Sequence, residues 1–131
     1  MLLDTNILSE LSKPNPNESV EKWVSELDEI CISGMTLVEI RYGLLLKKNV
    51  YKEKWFERIL PALTVLDAWP GVFSEGFEML DASKKKGVTI DPGDAVIAAY
   101  AGFYGMTLAT RNTKDFRGCG IDLFNPFEIV P

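Results

Sequence analysis

Short apolar segments alternate with helical patterns along this chain, and the alternation predicts its fold class. Five segments have the length and composition of short buried strands: residues 1–3, 30–33, 64–66, 106–109 and 121–124. Strands that alternate with helices form parallel sheets through right-handed crossovers. We therefore expect a three-layer α/β/α domain with a mostly parallel central sheet, and we expect residues 1–131 to form a single domain.

The segments between the strands carry helical patterns. From Glu18 to Asp28, apolar residues recur at i, i+3, i+4 and i+7, which predicts one buried helical stripe. Phe73, Phe77 and Leu80 are expected to form the buried face of a helix that ends at Gly87. Further helices are expected over residues 5–12, 36–46 and 51–60, and from residue 91 onwards.

Several acidic residues occupy positions where a helix needs a cap. Asp4 precedes the predicted helix that starts at Thr5, and Asp91 precedes Pro92, which suits the first position of a helix. Thr36 and Glu39 have the spacing of a capping box, in which each side chain satisfies a free backbone donor of the other residue. Helix capping alone would therefore explain why most of these positions carry an acidic residue.

Composition narrows the chemistry. The chain has 47% hydrophobic and 25% charged residues, typical of a soluble globular domain. It contains no histidine, which excludes the Ser-His-Asp triad and every other mechanism that needs an imidazole. Two cysteines, Cys31 and Cys119, are too few for a disulfide framework or a zinc site. Any catalysis must rely on carboxylates, on metal ions or on both.

Charge and hydropathy bear on partners and location. The longest apolar runs fall far short of the roughly 20 residues that cross a bilayer, so we expect no membrane partner and a cytoplasmic location. A net charge of −5 argues at first against a nucleic-acid substrate, because phosphates are usually held by an excess of Lys and Arg. Metal ions bound to acidic side chains could reverse that charge locally.

Four carboxylates fall where the carboxyl ends of parallel strands would bring them together. Asp4 follows the first strand, Glu39 and Asp94 lie in the first turns of helices, and Asp115 lies in the loop after Thr110. Four anions in one cleft repel each other and are tolerated far better with a divalent cation among them. Carboxylate oxygens suit Mg²⁺ or Mn²⁺, which can promote phosphodiester hydrolysis without histidine.

Four segments also resemble the signature segments of a known family. Residues 2–10, 36–43, 94–99 and 108–116 are similar, in order and spacing, to those of PIN-domain toxins of the VapC type, and within these to the FitB-like branch. The resemblance covers essentially the whole chain. It implies a PIN-like fold and a metal-dependent endoribonuclease, the toxin of a toxin–antitoxin pair. Messenger, transfer and ribosomal RNA all fit as substrates.

The resemblance also implies roles for individual residues. By that likeness Asp4, Glu39, Asp94 and Asp115 are the catalytic, metal-binding acids, and Asp91 stays a helix cap. Other polar residues are expected to contact either these acids or the substrate: Asn6, Thr110 and Asn112. Basic residues near the last acid could hold RNA phosphates or form salt bridges with the acids: Arg111, Lys114 and Arg117.

The resemblance and the composition together predict two protein partners. One is a cognate antitoxin with a basic or amphipathic segment that enters the acidic cleft. The other is a second copy of the chain, because Trp23, Trp55, Trp69 and several Phe residues exceed what one small core needs.

Two alternatives remain open on the residues alone. A phosphoacceptor receiver domain also gathers acids around Mg²⁺ at strand ends, and Asp67 after the third strand would be its phosphorylated residue. Receivers, however, need paired acids after the first strand, where Asp4 stands alone. The other alternative is a PIN-fold interaction module without catalytic activity.

Overall fold

The five strands form one parallel sheet. The computed structural model describes residues 1–129, and its strands are β1 (Leu2–Leu3), β2 (Cys31–Ile32), β3 (Thr64–Val65), β4 (Leu108–Ala109) and β5 (Leu123–Phe124). Their order across the sheet is β3-β2-β1-β4-β5, and all four neighbouring pairs are parallel. This confirms the predicted sheet.

Within residues 1–129, seven α-helices connect and cover the strands. They are α1 (Thr5–Leu11), α2 (Glu18–Ser25), α3 (Gly34–Leu46), α4 (Val50–Ile59), α5 (Pro70–Lys85), α6 (Pro92–Tyr104) and α7 (Thr113–Phe116). Two 3-10 turns were not expected from the sequence: Leu60–Ala62 and Pro126–Glu128. No helix in the described range is long and apolar enough to span a membrane.

The alternation of side chains along each strand creates two cores. Leu2 belongs to a cluster with the buried side chains of α6 and with Phe116, whereas its neighbour Leu3 belongs to a cluster with those of α1 to α4. Successive residues of a strand point to opposite faces of a sheet. The sheet is therefore the middle of three layers, with α1 to α4 on one face and α5 to α7 on the other.

Helix α3 begins two residues earlier than the capping-box interpretation predicts. Ser33 is its N-cap, and the Ser33 hydroxyl accepts a hydrogen bond from the backbone N–H of Thr36 at 3.1 Å. Since a cap was already available at the end of β2, the capping box of Thr36 and Glu39 was wrong. Glu39 consequently lies one turn further into the helix and has no capping role.

Helix α5 faces the core only in part with the residues that were expected. Its buried positions are Val72, Gly76 and Ser83, whereas Phe73 and Phe77 are 51% and 70% exposed. Gly76 packs against α6, where a Cβ in its place would lie 3.6 Å from the Ala99 side chain, an ordinary van der Waals contact. The small residues of α6 made this approach possible, so the larger Phe side chains were left outside. The prediction was therefore wrong for Phe73 and Phe77, whereas Leu80 packs against the core as expected.

The tryptophans divide between core and surface. Trp23 and Trp55 are half-buried and pack against the core on the α1 to α4 face, where the Trp23 ring lies 5.1 Å from that of Phe124. The expectation that both exceed the needs of the core was therefore wrong. Trp69, in contrast, is 56% exposed.

Candidate active site

The acidic residues gather where the order of the strands reverses. The chain runs from β1 outward to β2 and β3, then returns to place β4 on the other side of β1. Ligands of open parallel sheets bind at the carboxyl ends of the strands beside such a point. Asp4 follows β1 and Thr110 follows β4, so both lie at this edge.

Asp4 accepts hydrogen bonds from its neighbours Thr5 and Asn6 and from Thr110, which is distant in the sequence. It is only 6% exposed, and its Oδ1 accepts from the backbone N–H of Thr5 at 2.7 Å, as befits the N-cap of α1. Its Oδ2 accepts from the Thr110 hydroxyl at 2.8 Å and from Asn6 Nδ2 at 3.1 Å. Burial nevertheless raises the pKa of Asp4, and the charge of Asp115 adds to that rise.

Thr110 and Asn6 form the support of Asp4. Thr110 is fully buried, and besides donating to Asp4 its hydroxyl accepts from Asn6 Nδ2 at 3.2 Å and from the backbone N–H of Asn112 at 3.1 Å. Asn6 Oδ1 in turn accepts from the backbone N–H of Arg111 at 3.2 Å. Because Thr110 has no access to solvent, its geometry favours a contact to the acid over a contact to the substrate.

Glu39 carries a carboxylate oxygen with no hydrogen-bond partner. Its Oε1 is buried and unpaired among residues 1–129. Burial, together with the negative charges of Asp4, Asp94 and Asp91, raises the pKa of Glu39 to about 7. A buried carboxylate without a donor is costly unless it stays protonated or binds a cation.

The start of α6 brings Asp94 close to Glu39. Asp91 caps this helix by accepting from the backbone N–H groups of Gly93 and Asp94 at 2.9 and 3.3 Å, which confirms the predicted cap. Gly93 allows the close approach, since a Cβ there would lie 3.1 Å from Met35 Cε. Burial, followed by the charges of neighbouring acids, raises the pKa of Asp94 to about 6.

Asp115 lies further out than the other three acids. It belongs to α7 rather than to the loop that was expected, and it is exposed. Its charge still raises the pKa values of Asp4 and Asp94, so it lies within electrostatic reach of them. Lys114 and Arg117 are also exposed on this segment, and neither lines the cleft.

The cleft itself has a volume of about 380 Å³ and carries both signs of charge. Three of the four acids line it, together with Asn6, Asn112 and Arg111 of the expected contacts. Sequence reasoning missed the remaining lining residues: Thr5, Ser9, Glu10 and Lys13. Asn6, Ser9, Glu10 and Lys13 follow the spacing i, i+3, i+4 and i+7 along α1 and just beyond its end, so a polar helical stripe was the signal that could have revealed the last three.

The donor set fits a divalent cation. It consists of hard carboxylate oxygens, one of them buried and unpaired, and the two half-buried acids Glu39 and Asp94 have raised pKa values that a nearby cation would lower. Within residues 1–129, no three Asp, Glu, Cys or His side chains converge closely enough to form a ready-made metal cage. Binding would therefore require the acids to rotate toward one another.

Comparison with known proteins identifies the fold family. The family model described as PIN domain matches residues 1–119. The chain belongs to the PIN-domain family.

Relatives of this PIN domain match it over almost its full length. Toxin FitB of Neisseria gonorrhoeae is 35% identical, and the match covers 98% of this chain and 99% of the relative. VapC ribonuclease Y4jK of Sinorhizobium fredii is 31% identical, with 98% of each chain covered. A solved structure described as a toxin-antitoxin complex from Klebsiella pneumoniae superposes with a TM-score of 0.75 at 25% identity and covers 98% of each chain.

The PIN-domain assignment removes the receiver alternative. Asp67 follows β3 at the edge of the sheet, two strands away from β1, and is exposed to solvent. It does not line the acidic cleft. A receiver would place its phosphorylated acid among the others, so this interpretation of Asp67 was wrong.

Proposed function

We propose that this PIN domain is a divalent-metal-dependent endoribonuclease and the toxin of a toxin–antitoxin pair. Relatives named as a toxin and as a ribonuclease match it along almost the whole chain. The single observation that carries the proposal is the cleft that Asp4, Glu39 and Asp94 line together, with a Glu39 oxygen that is buried and, among residues 1–129, unpaired. The acids of the cleft repel one another in the protein alone. A bound cation would remove that repulsion and could also bind a phosphodiester.

The metal-binding residues in this proposal are Asp4, Glu39, Asp94 and Asp115. Mg²⁺ or Mn²⁺ bound to them would supply activation of the attacking water and stabilisation of the departing 3′-oxygen. Asp4 would keep its orientation through Thr110 and Asn6, which both donate hydrogen bonds to its Oδ2. Arg111 and Asn112 would contact the RNA from the same cleft.

Hydrolysis by water predicts the ends of the products. Attack by water leaves 5′-phosphate and 3′-hydroxyl ends, whereas attack by the RNA 2′-hydroxyl leaves a 2′,3′-cyclic phosphate. The test is cleavage of single-stranded RNA by the purified protein in Mg²⁺, in Mn²⁺ and in EDTA, with the ends of the products mapped. Cyclic phosphate ends would contradict the mechanism. Cleavage that continues in EDTA would contradict the role of the metal.

A matched pair of variants separates the active nuclease from an inactive module. Glu39→Gln removes a charge from the cleft and should abolish cleavage, since an amide binds Mg²⁺ far less well than a carboxylate. Asp67→Asn removes a charge outside the cleft and should leave cleavage unchanged. Absence of cleavage by the wild-type protein together with absence of metal binding by calorimetry would favour the interaction module.

The proposed partners are an antitoxin and a second copy of the chain. The related complex from Klebsiella pneumoniae supports the antitoxin, and the cleft would accept a basic segment of it. The homodimer is supported by apolar surface on the α5 and α6 face, where Trp69, Phe73, Phe77 and Phe103 are exposed. With RNA as the substrate, the location in this proposal is the cytoplasm.

A further inference from the structure

Arg111 differs from the other basic residue of the cleft in having no carboxylate partner. Lys13 also lines the cleft, but its Nζ lies 2.6 Å from Glu10 Oε2, so its charge is partly balanced. Among residues 1–129, Arg111 forms no such ion pair. Within the described residues, Arg111 is therefore the cleft cation without a close ion pair, although its charge also acts on Glu10.

The Arg111 guanidinium rests on an aromatic ring from the C-terminal segment. Its central carbon lies 4.7 Å from the centre of the Phe127 ring. Contact of one face of a guanidinium with a ring leaves its N–H groups, which point outward in the guanidinium plane, available to an anion. An unsupported Arg side chain would have to lose its conformational freedom when it binds a phosphate.

The Phe127 ring and the Arg111 backbone are tied together by one further residue. Asn125 Oδ1 accepts from the backbone N–H of Phe127 at 3.0 Å, and Asn125 Nδ2 donates to the carbonyl oxygen of Arg111 at 3.4 Å. The backbone N–H of Arg111 donates to Asn6, which itself donates to Asp4. Phe127 is thus connected through Arg111 to the acids, although it does not line the cleft.

We propose that Phe127 is a positioning residue, which together with Asn125 holds the Arg111 guanidinium at the rim of the acidic cleft to bind an RNA phosphate. The inference rests on the proposed ribonuclease function and deepens it. Arg111 makes the contact with the phosphate, and Phe127 acts only through Arg111. The C-terminal turn, which lies beyond the segment matched to the PIN family, then belongs to the substrate-binding machinery.

The test measures binding of a short, fluorescently labelled single-stranded RNA of mixed sequence in EDTA, by anisotropy over a series of salt concentrations. Arg111→Gln should weaken binding and lower the slope of log affinity against log salt by about 0.7, the value for one phosphate contact on a single strand. Phe127→Leu should weaken binding about two- to fivefold, because the Arg111 guanidinium loses the ring that holds it. The salt slope should change little, because the charge of Arg111 remains. Phe127→Tyr should bind as the wild type does.

Phe124→Leu is the matched control, because Phe124 is also an aromatic residue of the C-terminal segment and packs against Trp23 on the same face of the sheet. It should leave RNA binding unchanged. In an Arg111→Gln background, Phe127→Leu should have no further effect on binding, which distinguishes positioning of Arg111 from general destabilisation.

Two results would overturn the inference. One is that Phe127→Leu weakens RNA binding equally in the wild-type and Arg111→Gln backgrounds. The other is that Phe127→Leu weakens RNA binding no more than Phe124→Leu does. If these occur while the wild-type protein cleaves RNA, only the role of Phe127 falls. If the wild-type protein neither binds nor cleaves RNA, the proposed function falls as well, and the two failures are thereby distinguished.

Discussion

At the scale of single residues, the acids of the cleft give the protein a stability that depends on pH. The pKa of Glu39 is raised from 4.5 to about 7 by burial and neighbouring negative charges, and that of Asp94 is raised to about 6. An acid with a raised pKa binds its proton more tightly in the folded protein than in the unfolded chain. Stability is therefore present at low pH and is lost as the pH rises through these values.

We expect the metal-free protein to melt at a higher temperature at about pH 5 than at about pH 8, by a few degrees, given that about 1 kcal/mol corresponds to roughly 4 °C in a domain of this size. Both carboxylates are only half-buried, so solvent screening reduces the effect. Thermal melts in EDTA across this range provide the measurement. Glu39→Gln should flatten the trend, and a melting temperature that rises with pH would contradict the assignment.

Asp94→Asn separates a metal ligand from an acid that merely favours the helix dipole. If Asp94 only interacted with the helix dipole, neutralising it would lower the free energy of unfolding by a few tenths to about 1 kcal/mol. Because Asp94 faces other carboxylates, its replacement should instead leave the metal-free protein equally or more stable, while RNA cleavage collapses. Melts in EDTA and in Mg²⁺ check this: the wild type should gain stability from Mg²⁺, and the variant much less. An unchanged gain with retained cleavage would place Asp94 outside the metal site.

The position of the acids could be read from the sequence, but their environment could not. The alternation of strands and helices was enough to predict that Asp4 and Asp94 lie at one edge of the sheet. The unpaired Glu39 oxygen was hidden, because the Thr36-x-x-Glu39 spacing also fits a capping box and only tertiary structure shows Ser33 in that role. Phe127 was hidden for a similar reason, since its contact with Arg111 joins residues that no local pattern relates.

At the scale of elements, the start of α6 determines where Asp94 lies. Asp91 accepts two backbone N–H groups there, and loss of an N-cap typically costs about 1 kcal/mol. Its charge also raises the pKa values of Glu39 and Asp94, so capping and repulsion act in opposite directions.

Two substitutions of Asp91 distinguish these effects. Asp91→Ser keeps a capping oxygen and removes the charge, so the metal-free protein should be equally or more stable. Asp91→Ala removes both and should be less stable than Asp91→Ser by about 1 kcal/mol. Chemical denaturation in EDTA supplies the free energies of unfolding. Equal stability of the two variants would show that the cap contributes nothing, and loss of metal binding in Asp91→Ser would make Asp91 a ligand.

The predicted elements failed where packing overrode the local pattern. In α5 the Phe73 and Phe77 spacing indicated a buried face, but the small residues of α6 favour contact through Gly76. Short elements were also missed: α7 is only four residues long, so it carries too little periodicity to be recognised. The longer helices and all five strands were predicted correctly because their apolar patterns extend over whole turns or end at clear caps.

At the scale of the whole molecule, the exposed aromatic residues of α5 and α6 predict self-association. Trp69 and Phe77 are 56% and 70% exposed, and apolar surface of this kind is usually covered in an assembly. One chain has a mass of 14.7 kDa. We expect light scattering at micromolar concentration to give twice that mass. A monomeric mass would contradict the homodimer and leave the nuclease proposal intact.

The hydrogen bond between Thr110 and Asp4 has a consequence for how the protein is made. It joins residues separated by 106 positions, and β1 gains its second neighbour only when β4 has formed. During synthesis the acid at the start of the chain leaves the ribosome long before the threonine that orients it, so a nascent or prematurely terminated chain that lacks β4 has no assembled cleft. An enzyme that attacks RNA thus becomes competent only after β4 has been synthesised and has joined the sheet beside β1.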